Sequence, residues 1–250
     1  MGYNPYSLEG KSILVTGASS GIGKATAIEC SRMGANVILT GRNRERLDHT
    51  LSLMDSSLSQ NHSYILADLT NEEDLQLLIE GIGIIDGLVN NAGVNRIKPA
   101  AFVKNEDLEF IFQNNAFASV NLTRALLKKK KIAKGGSIVF TSSVSAFYNA
   151  PGRLLYSGSK AALTSFMRSF AVELADKQIR ANAVHPGMVE TNMTAEHISE
   201  DEQQRNLGEY PLKRYGKPEE VAWAIIYLLS DAATWVTGSS LTIDGGFMLK

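Results

Sequence analysis

Short apolar runs alternate with amphipathic stretches along this whole 250-residue chain, and that alternation leaves few folds open. Ser12–Val15 reads as a first buried strand, and Gly23–Met33 as a helix closed by Gly34 in a left-handed turn. Asn36–Thr40 and Tyr64–Ala67 read as the second and third strands, and Gly87–Asn90 ends a fourth. Gly136–Thr141, Arg180–Val184 and Ser240–Ile243 read as the fifth, sixth and seventh. Helical patterns separate them. Strands apolar along their whole length need cover on both faces, which the intervening helices supply. The expected fold class is α/β: a doubly wound parallel sheet of about seven strands with helices on both faces. No linker or break in composition divides the chain, so residues 1–250 read as one domain. The polar stretch from Glu190 to Tyr210 follows strand six and reads as a substrate lid, set at roughly 190–212.

Charge and cysteine use exclude some functions. A formal net charge of -1 gives no global field to recruit nucleic acid or an anionic membrane. The lone Cys30 cannot form an internal disulfide. No apolar stretch approaches the roughly 20 residues of a transmembrane helix, and no signal peptide shows at the start. The expected location is cytoplasmic, and no metal site is expected.

The turn after strand one, Thr16-Gly17-Ala18-Ser19-Ser20-Gly21-Ile22-Gly23, runs into a helix start. Glycine permits positive φ and close backbone approach, and a helix amino terminus offers free N–H groups with a favourable dipole. That combination suits a pyrophosphate. The spacing is Gly-x-x-x-Gly-x-Gly rather than Gly-x-Gly-x-x-Gly.

Tyr156 and Lys160 stand four apart, a spacing that puts both on one face of a helix. A phenol normally titrates near 10, and a neighbouring cation is expected to lower that value. Ser143 lies thirteen residues before Tyr156, at the end of strand five.

Together with Asn90-Asn91-Ala92-Gly93 and Pro186-Gly187, these motifs resemble the short-chain dehydrogenases/reductases, in order and over nearly the whole chain. Arg214 to Val221, Thr237-Gly238 and Asp244-Gly245-Gly246 match as well. The resemblance implies a Rossmann-type fold and a nicotinamide-dependent enzyme acting on a carbonyl or alcohol. Ser143 then polarises the carbonyl, Tyr156 is the acid, and Lys160 supports it; Tyr156 and Lys160 also contact the cofactor, Lys160 at the nicotinamide ribose hydroxyls. Asn115 completes the set through a water relay to Lys160, with Asn114 as the neighbouring register. Gly17, Ser19, Ser20, Gly21, Ile22 and Gly23 would hold the pyrophosphate, and Asp68 and Leu69 the adenine. Asn91, Ala92 and Gly93 would border the adenosine side, with Asn90 structural. Pro186 and Gly187 pass the nicotinamide, while Val189 and Thr191 hold its carboxamide. His185 reads as a structural strand-end residue.

Gly41 sits where NAD members of the family carry Asp, and Arg42 follows it. A guanidinium suits a 2′-phosphate, so NADP is expected, with NAD as the alternative. Within the family the chain is most similar to 3-oxoacyl-[acyl-carrier-protein] reductases, with sugar, steroid or other secondary alcohol dehydrogenases as the alternative. That likeness implies an acyl carrier protein docking on basic residues near the site entrance, at the places of Lys134 and Lys177. Lys128-Lys129-Lys130-Lys131 reads rather as a solvated helix end. The last helix, from Pro218, has Trp223 and Tyr227 off its core side, suggesting a homotetramer or homodimer.

Overall fold

A computed structural model describes residues 3–191, 193 and 207–249. Most of the expected lid, 192 and 194–206, lies outside the described residues. Among those described, seven parallel strands form one sheet: β1 Ser12–Thr16, β2 Asn36–Gly41, β3 Ser63–Leu66, β4 Ile85–Asn90, β5 Ile132–Thr141, β6 Arg180–Pro186 and β7 Ser240–Ile243. Their spatial order is β3-β2-β1-β4-β5-β6-β7. The order reverses between β1 and β4, and at such a point the connections diverge and open a crevice beyond the strands' carboxyl ends.

The helices are α1 Gly21–Arg32, α2 Arg44–Ser52, α3 Glu72–Gly81, α4 Asn105–Phe112, α5 Ala118–Lys128, α6 Leu154–Glu173 and α7 Pro218–Leu229. They form a layer on each face of the sheet. Successive strand residues point to opposite faces, and β1 divides its side chains accordingly. Leu14 packs with Leu122, Leu126, Leu163 and Met167 on one side. Ile13 and Val15 join Ala27, Cys30, Val221 and Ile225 on the other. Complete burial of one such aliphatic side chain stabilises the fold by about 1.5–3 kcal/mol.

α1 ends where expected. Gly34 takes φ +90, and a Cβ there would lie 3.0 Å from the Cα of Glu9. β5 starts before the expected Gly136, because residues from Ile132 continue beside β4 across a register shift between Ile85 and Gly87. α7 also differs from expectation. Val221, Ile225 and Leu228 are buried as anticipated. Trp223, however, donates its indole N–H to Glu29 of α1 at 2.9 Å, and the Tyr227 ring lies 6.4 Å from that of Tyr6. Part of the face expected to meet another subunit is therefore used within the chain.

One threonine hydroxyl ties the two sides of the reversal together. Thr16 Oγ1 donates to Val89 O at 3.2 Å and accepts from the N–H groups of Asn91 and Ala92 at 2.9 and 3.0 Å. Asn90, fully buried, donates to Thr123 Oγ1 at 3.0 Å, which is the structural role expected of it.

Candidate active site

A cleft of about 640 Å³ lies at the carboxyl ends of the strands. Gly17, Ser19, Ser20, Gly21 and Ile22 line it at the start of α1. Ser20, the N-cap, makes no side-chain capping bond, and the first turn holds no acidic residue. The helix amino terminus thus keeps free donors and a positive dipole end directed at the cleft. Gly17 (φ +63) could carry no side chain, since a Cβ would meet Ala92 Cα at 2.9 Å. Gly23 does not line the cleft. A Cβ on it would come within 2.3 Å of Gly17 O and 2.5 Å of Asn91 Nδ2, so its role is to let the turn close. These features fit a pyrophosphate cradle.

Arg42, Asp68, Leu69, Asn91, Ala92 and Gly93 also line the cleft, as expected. Gly41 ends β2 where a Cβ would be accepted in ordinary contact, 3.6 Å from Ser19 Oγ and 3.7 Å from Leu47 Cδ2. Arg42 is 62% exposed and lies 3.7 Å from Asp68. Burial works to raise the Asp68 pKa, but bonds from the Thr70 N–H and hydroxyl, with the Arg42 charge, hold it below the ordinary value. Arg46 lines the same end of the cleft and escaped the sequence reading. It stands in the first turn of α2, whose cap Asn43 accepts from Arg46 N at 2.9 Å.

The groups expected to react, Ser143, Tyr156 and Lys160, line the cleft as well. Ser143 stands with its hydroxyl beside the Tyr156 phenol and works to lower the phenol's pKa. Its Oγ accepts from Ser145 N at 3.1 Å, and its carbonyl accepts from His185 Nδ1 at 2.9 Å. Because the partner is a carbonyl, Nδ1 of His185 carries the proton. The imidazole is fully buried, lies 4.6 Å from the Phe147 ring, and is held neutral by burial. It is a structural support for Ser143, in line with the sequence reading.

The phenol departs from expectation. Burial pushes the Tyr156 pKa above its ordinary value, and the Ser143 hydroxyl and Arg153 charge offset this only in part. Lys160 does not depress it here. Its ammonium donates to Thr141 O at 2.7 Å and stands 5.8 Å from the Tyr156 ring centre. Burial brings Lys160 itself down to about 8.

Asn115 lies in a π-helical turn, Gln113–Phe117, between α4 and α5. Its Oδ1 accepts from Val94 N at 2.7 Å, and its Nδ2 donates to Val94 O at 2.9 Å and Ser159 Oγ at 3.0 Å. Both amide hydrogens are engaged, so the side chain pins the loop after β4 to α6. Such single π turns inside α-helices occur frequently at functional sites. Asn115 does not line the cleft, whereas its neighbour Asn114 does. Asn115 still approaches Lys160 through Gly93. A Cβ on Gly93 would lie 3.2 Å from Asn115 Oδ1 and 3.5 Å from Lys160 Nζ.

Pro186, Gly187, Val189 and Thr191 close the far wall. Thr191 comes close to the glycine turn, 3.2 Å from where a Gly21 Cβ would be. The segment is held from behind. Met188 N donates to the Tyr210 hydroxyl at 3.1 Å, and Gly216 N to Met188 O at 3.0 Å. Arg214 and Glu220 form a two-pronged ion pair at 2.6 and 2.7 Å that clips this support to α7. The Arg214 bond brings the Glu220 pKa down to about 2.

Residues that belong to none of the predicted site positions line the substrate side: Tyr148, Arg153, Met188, Glu209, Tyr210 and Phe247. Phe247 stacks on Tyr210 at 5.1 Å and meets Tyr148 edge-on at 5.1 Å. The expected carrier-docking lysines are elsewhere. Lys134 lies near the start of β5 and Lys177 just before β6, at the sheet edge opposite the cleft. Lys134 is seven residue steps from Thr141 along β5, roughly 20 Å, so neither lysine stands at this chain's own entrance. No cluster of three or more metal-binding side chains occurs among the described residues. Among the same residues, no helix is long and apolar enough to cross a membrane.

Comparison with known proteins agrees with this geometry. A family model described as enoyl-(acyl carrier protein) reductase matches residues 17–248. The chain is 39% identical over 246 residues to 3-oxoacyl-[acyl-carrier-protein] reductase FabG of Thermotoga maritima, covering 97% of this chain and 99% of that one. The structure of a 7α-hydroxysteroid dehydrogenase complexed with NADH and 7-oxo glycochenodeoxycholic acid superposes with a TM-score of 0.91 at 31% identity, over 98% of each chain. A protein from Agrobacterium tumefaciens, proposed to be a 2-deoxy-D-gluconate 3-dehydrogenase and holding NADP, gives 0.89 at 31% identity, over 99% of this chain and 100% of that one.

Proposed function

The chain belongs to the short-chain dehydrogenase/reductase family and is an oxidoreductase of carbonyl and hydroxyl groups using NAD(P), and on that premise we propose that it transfers hydride between NADPH and a ketone. The observation that carries the reading is the convergence of Ser143, Tyr156 and Lys160 on one cleft that also holds the open amino end of α1. When bound, the nicotinamide supplies the hydride or receives it. Ser143, held by the His185 bond to its carbonyl, directs its hydroxyl at the substrate oxygen and offsets developing negative charge. Tyr156, kept protonated by burial, gives its proton to that oxygen in the reductive direction. Lys160 holds positive charge beside the phenol and restores the proton, with Asn115 fixing the loop against which it rests.

For the nucleotide, Arg42 and Arg46 with the side-chain-free Gly41 favour a 2′-phosphate, so NADP is preferred over NAD. Gly17, Ser19, Ser20, Gly21 and Ile22 hold its pyrophosphate. Asp68, Leu69, Asn91, Ala92 and Gly93 border its adenosine, and Pro186, Gly187, Val189 and Thr191 its nicotinamide. Gly23 serves by closing the turn.

The substrate class we favour is a 3-oxoacyl thioester, free or on an acyl carrier protein, supported by the Thermotoga relative and by the apolar aromatic lining of the cleft. A steroid ketone is the second reading, favoured by the same lining and the superposing hydroxysteroid enzyme. Exposed Phe110, Phe117, Leu154 and Phe166 support a homo-oligomer, dimer or tetramer, which light scattering would check. A cytoplasmic enzyme is expected, testable by cell fractionation.

Initial rates with NADPH and NADH, each against an acetoacetyl thioester, a steroid ketone and keto-sugars, test this reading. Fast NADPH-dependent thioester reduction is the expected result. Preference for NADH would overturn the cofactor assignment, and turnover of the keto-sugars alone would overturn the substrate class.

A further inference from the structure

Two features at the reacting centre are not used by hydride transfer. The first is the wall of Tyr148, Tyr210 and Phe247, drawn from three separate segments and lining one side of the cleft. Such a surface takes a ring or an acyl chain and offers little to a polyol. Tyr210 spends its hydroxyl on the Met188 N–H, so it presents its ring.

The second is Arg153. It caps the amino end of α6, three residues before Tyr156, and lines the same cleft. Its backbone is engaged: its N–H donates to Ala150 O at 3.1 Å, and its carbonyl accepts from Ser157 N at 2.8 Å. Its guanidinium has neither a hydrogen bond nor an ion pair among the described residues, unlike Arg42, Arg96, Arg180 and Arg214. Glu209, the carboxylate on the substrate side of the cleft, has interactions of its own, and no ion pair joins it to Arg153. A half-buried guanidinium has given up part of its hydration, and its planar fork matches a carboxylate or phosphate.

We propose that Arg153 receives an anionic oxygen group carried by the ketone substrate, while the Tyr148–Tyr210–Phe247 wall takes the substrate's apolar part. The inference rests on the ketone-reductase reading and narrows it. It selects apolar ketones with a nearby negative charge over neutral ketones and sugars. The anion has two chemical sources: a carboxylate on the ketone itself, or the phosphate of a pantetheine-type arm on a thioester.

Matched pairs separate charge from everything else. The first pair is acetoacetyl-pantetheine against acetoacetyl-phosphopantetheine. The second is a phenyl-bearing oxo carboxylate against its methyl ester. KM is measured for each with NADPH in the unaltered protein, Arg153→Gln and Arg153→Lys. The Kd of each probe for the NADPH-loaded protein is measured in parallel, by nucleotide fluorescence. The anionic member of at least one pair is expected to bind about tenfold tighter or more, the usual weight of a charged hydrogen bond. Arg153→Gln removes that ratio, and Arg153→Lys keeps part of it. Any effect of Arg153 on the Tyr156 phenol acts on both members of a pair and cancels in the ratio. The sensitive pair identifies the source of the anion. Equal ratios in Arg153→Gln and the unaltered protein, or no preference for the anion in either pair, overturn the proposal. Absence of hydride transfer to every probe from either nucleotide would refute the reductase reading instead, and the Kd ratios would still decide the role of Arg153.

Discussion

The two halves of the cleft are built differently. On the nucleotide side, the walls are strand ends and one tight turn. Gly17 leaves no room for a Cβ against Ala92, Gly23 none against Gly17 O, and Thr16 binds both sides of the strand reversal with one hydroxyl. On the substrate side, the wall is three aromatic rings at the ends of unrelated segments, joined by ring contacts at 5.1 Å. Backbone contact admits one residue type at a position, whereas ring packing admits many. A common nucleotide can thus be held by a constant half while the other half changes with the substrate.

Substitutions that act on one half alone would sharpen this contrast, and any that disturb both would break it. The largest effect is expected at the boundary. Tyr156→Phe removes the proton donor and should lower kcat by about 10²–10⁴, with the NADPH Kd from fluorescence titration nearly unchanged. A fall in nucleotide affinity of similar size would mean that Tyr156 belongs to the nucleotide half. Next, Gly41→Asp, whose Cβ the position accepts in ordinary contact with Ser19 and Leu47, adds a carboxylate next to Arg42 in the chain. It should reverse the NADPH-to-NADH preference by about tenfold or more, read as the ratio of kcat/KM values on one ketone.

Lys160 touches both halves and gives a pH signature. Its folded value of about 8 means that the ammonium is lost as pH rises through that point. The alkaline limb of kcat/KM should fall there, by about tenfold per further pH unit. Lys160→Arg keeps the charge at every accessible pH, so whatever activity it retains should lack that limb. The smallest effect is expected at the aromatic wall. Phe247→Ala should raise KM for an apolar ketone several-fold, roughly 1 kcal/mol or more of lost ring contact, and leave the NADPH Kd in place. Loss of nucleotide binding in Phe247→Ala would show that the wall supports the loop at Met188 rather than the substrate.

The same contrast explains what was legible. Seven strands, their parallel arrangement and the glycine turn were readable because each depends on neighbours in the chain: apolar runs, period, and residues that tolerate positive φ. Ser143, Tyr156 and Lys160 were readable as a spaced motif, and the structure brings them to one cleft. Arg46, Arg153, Tyr148 and Phe247 were not: each stands within a few residues of a motif but belongs to none, and only the fold turns its side chain to the cleft. The lysines Lys134 and Lys177 were misplaced for a related reason. Matching positions in a chain say which residues correspond, not which end of a strand they occupy relative to the cleft.

Asn115 shows the limit most plainly. Its identity was legible, but its two amide hydrogens go to Val94 O and Ser159 Oγ, partners 21 and 44 residues away. The rise of the Tyr156 phenol, against the expected fall, has the same origin. Charge proximity follows from spacing along a helix, while burial depends on everything packed around the ring. By itself the sequence determined the sheet and the glycine turn, since these follow from local periodicity and backbone sterics, and it carried the motif spacing of Ser143, Tyr156 and Lys160. Only the tertiary structure decided which groups share the cleft with them, how deeply each is buried, and therefore which protons they hold, because desolvation and long-range contact have no counterpart in the order of residues.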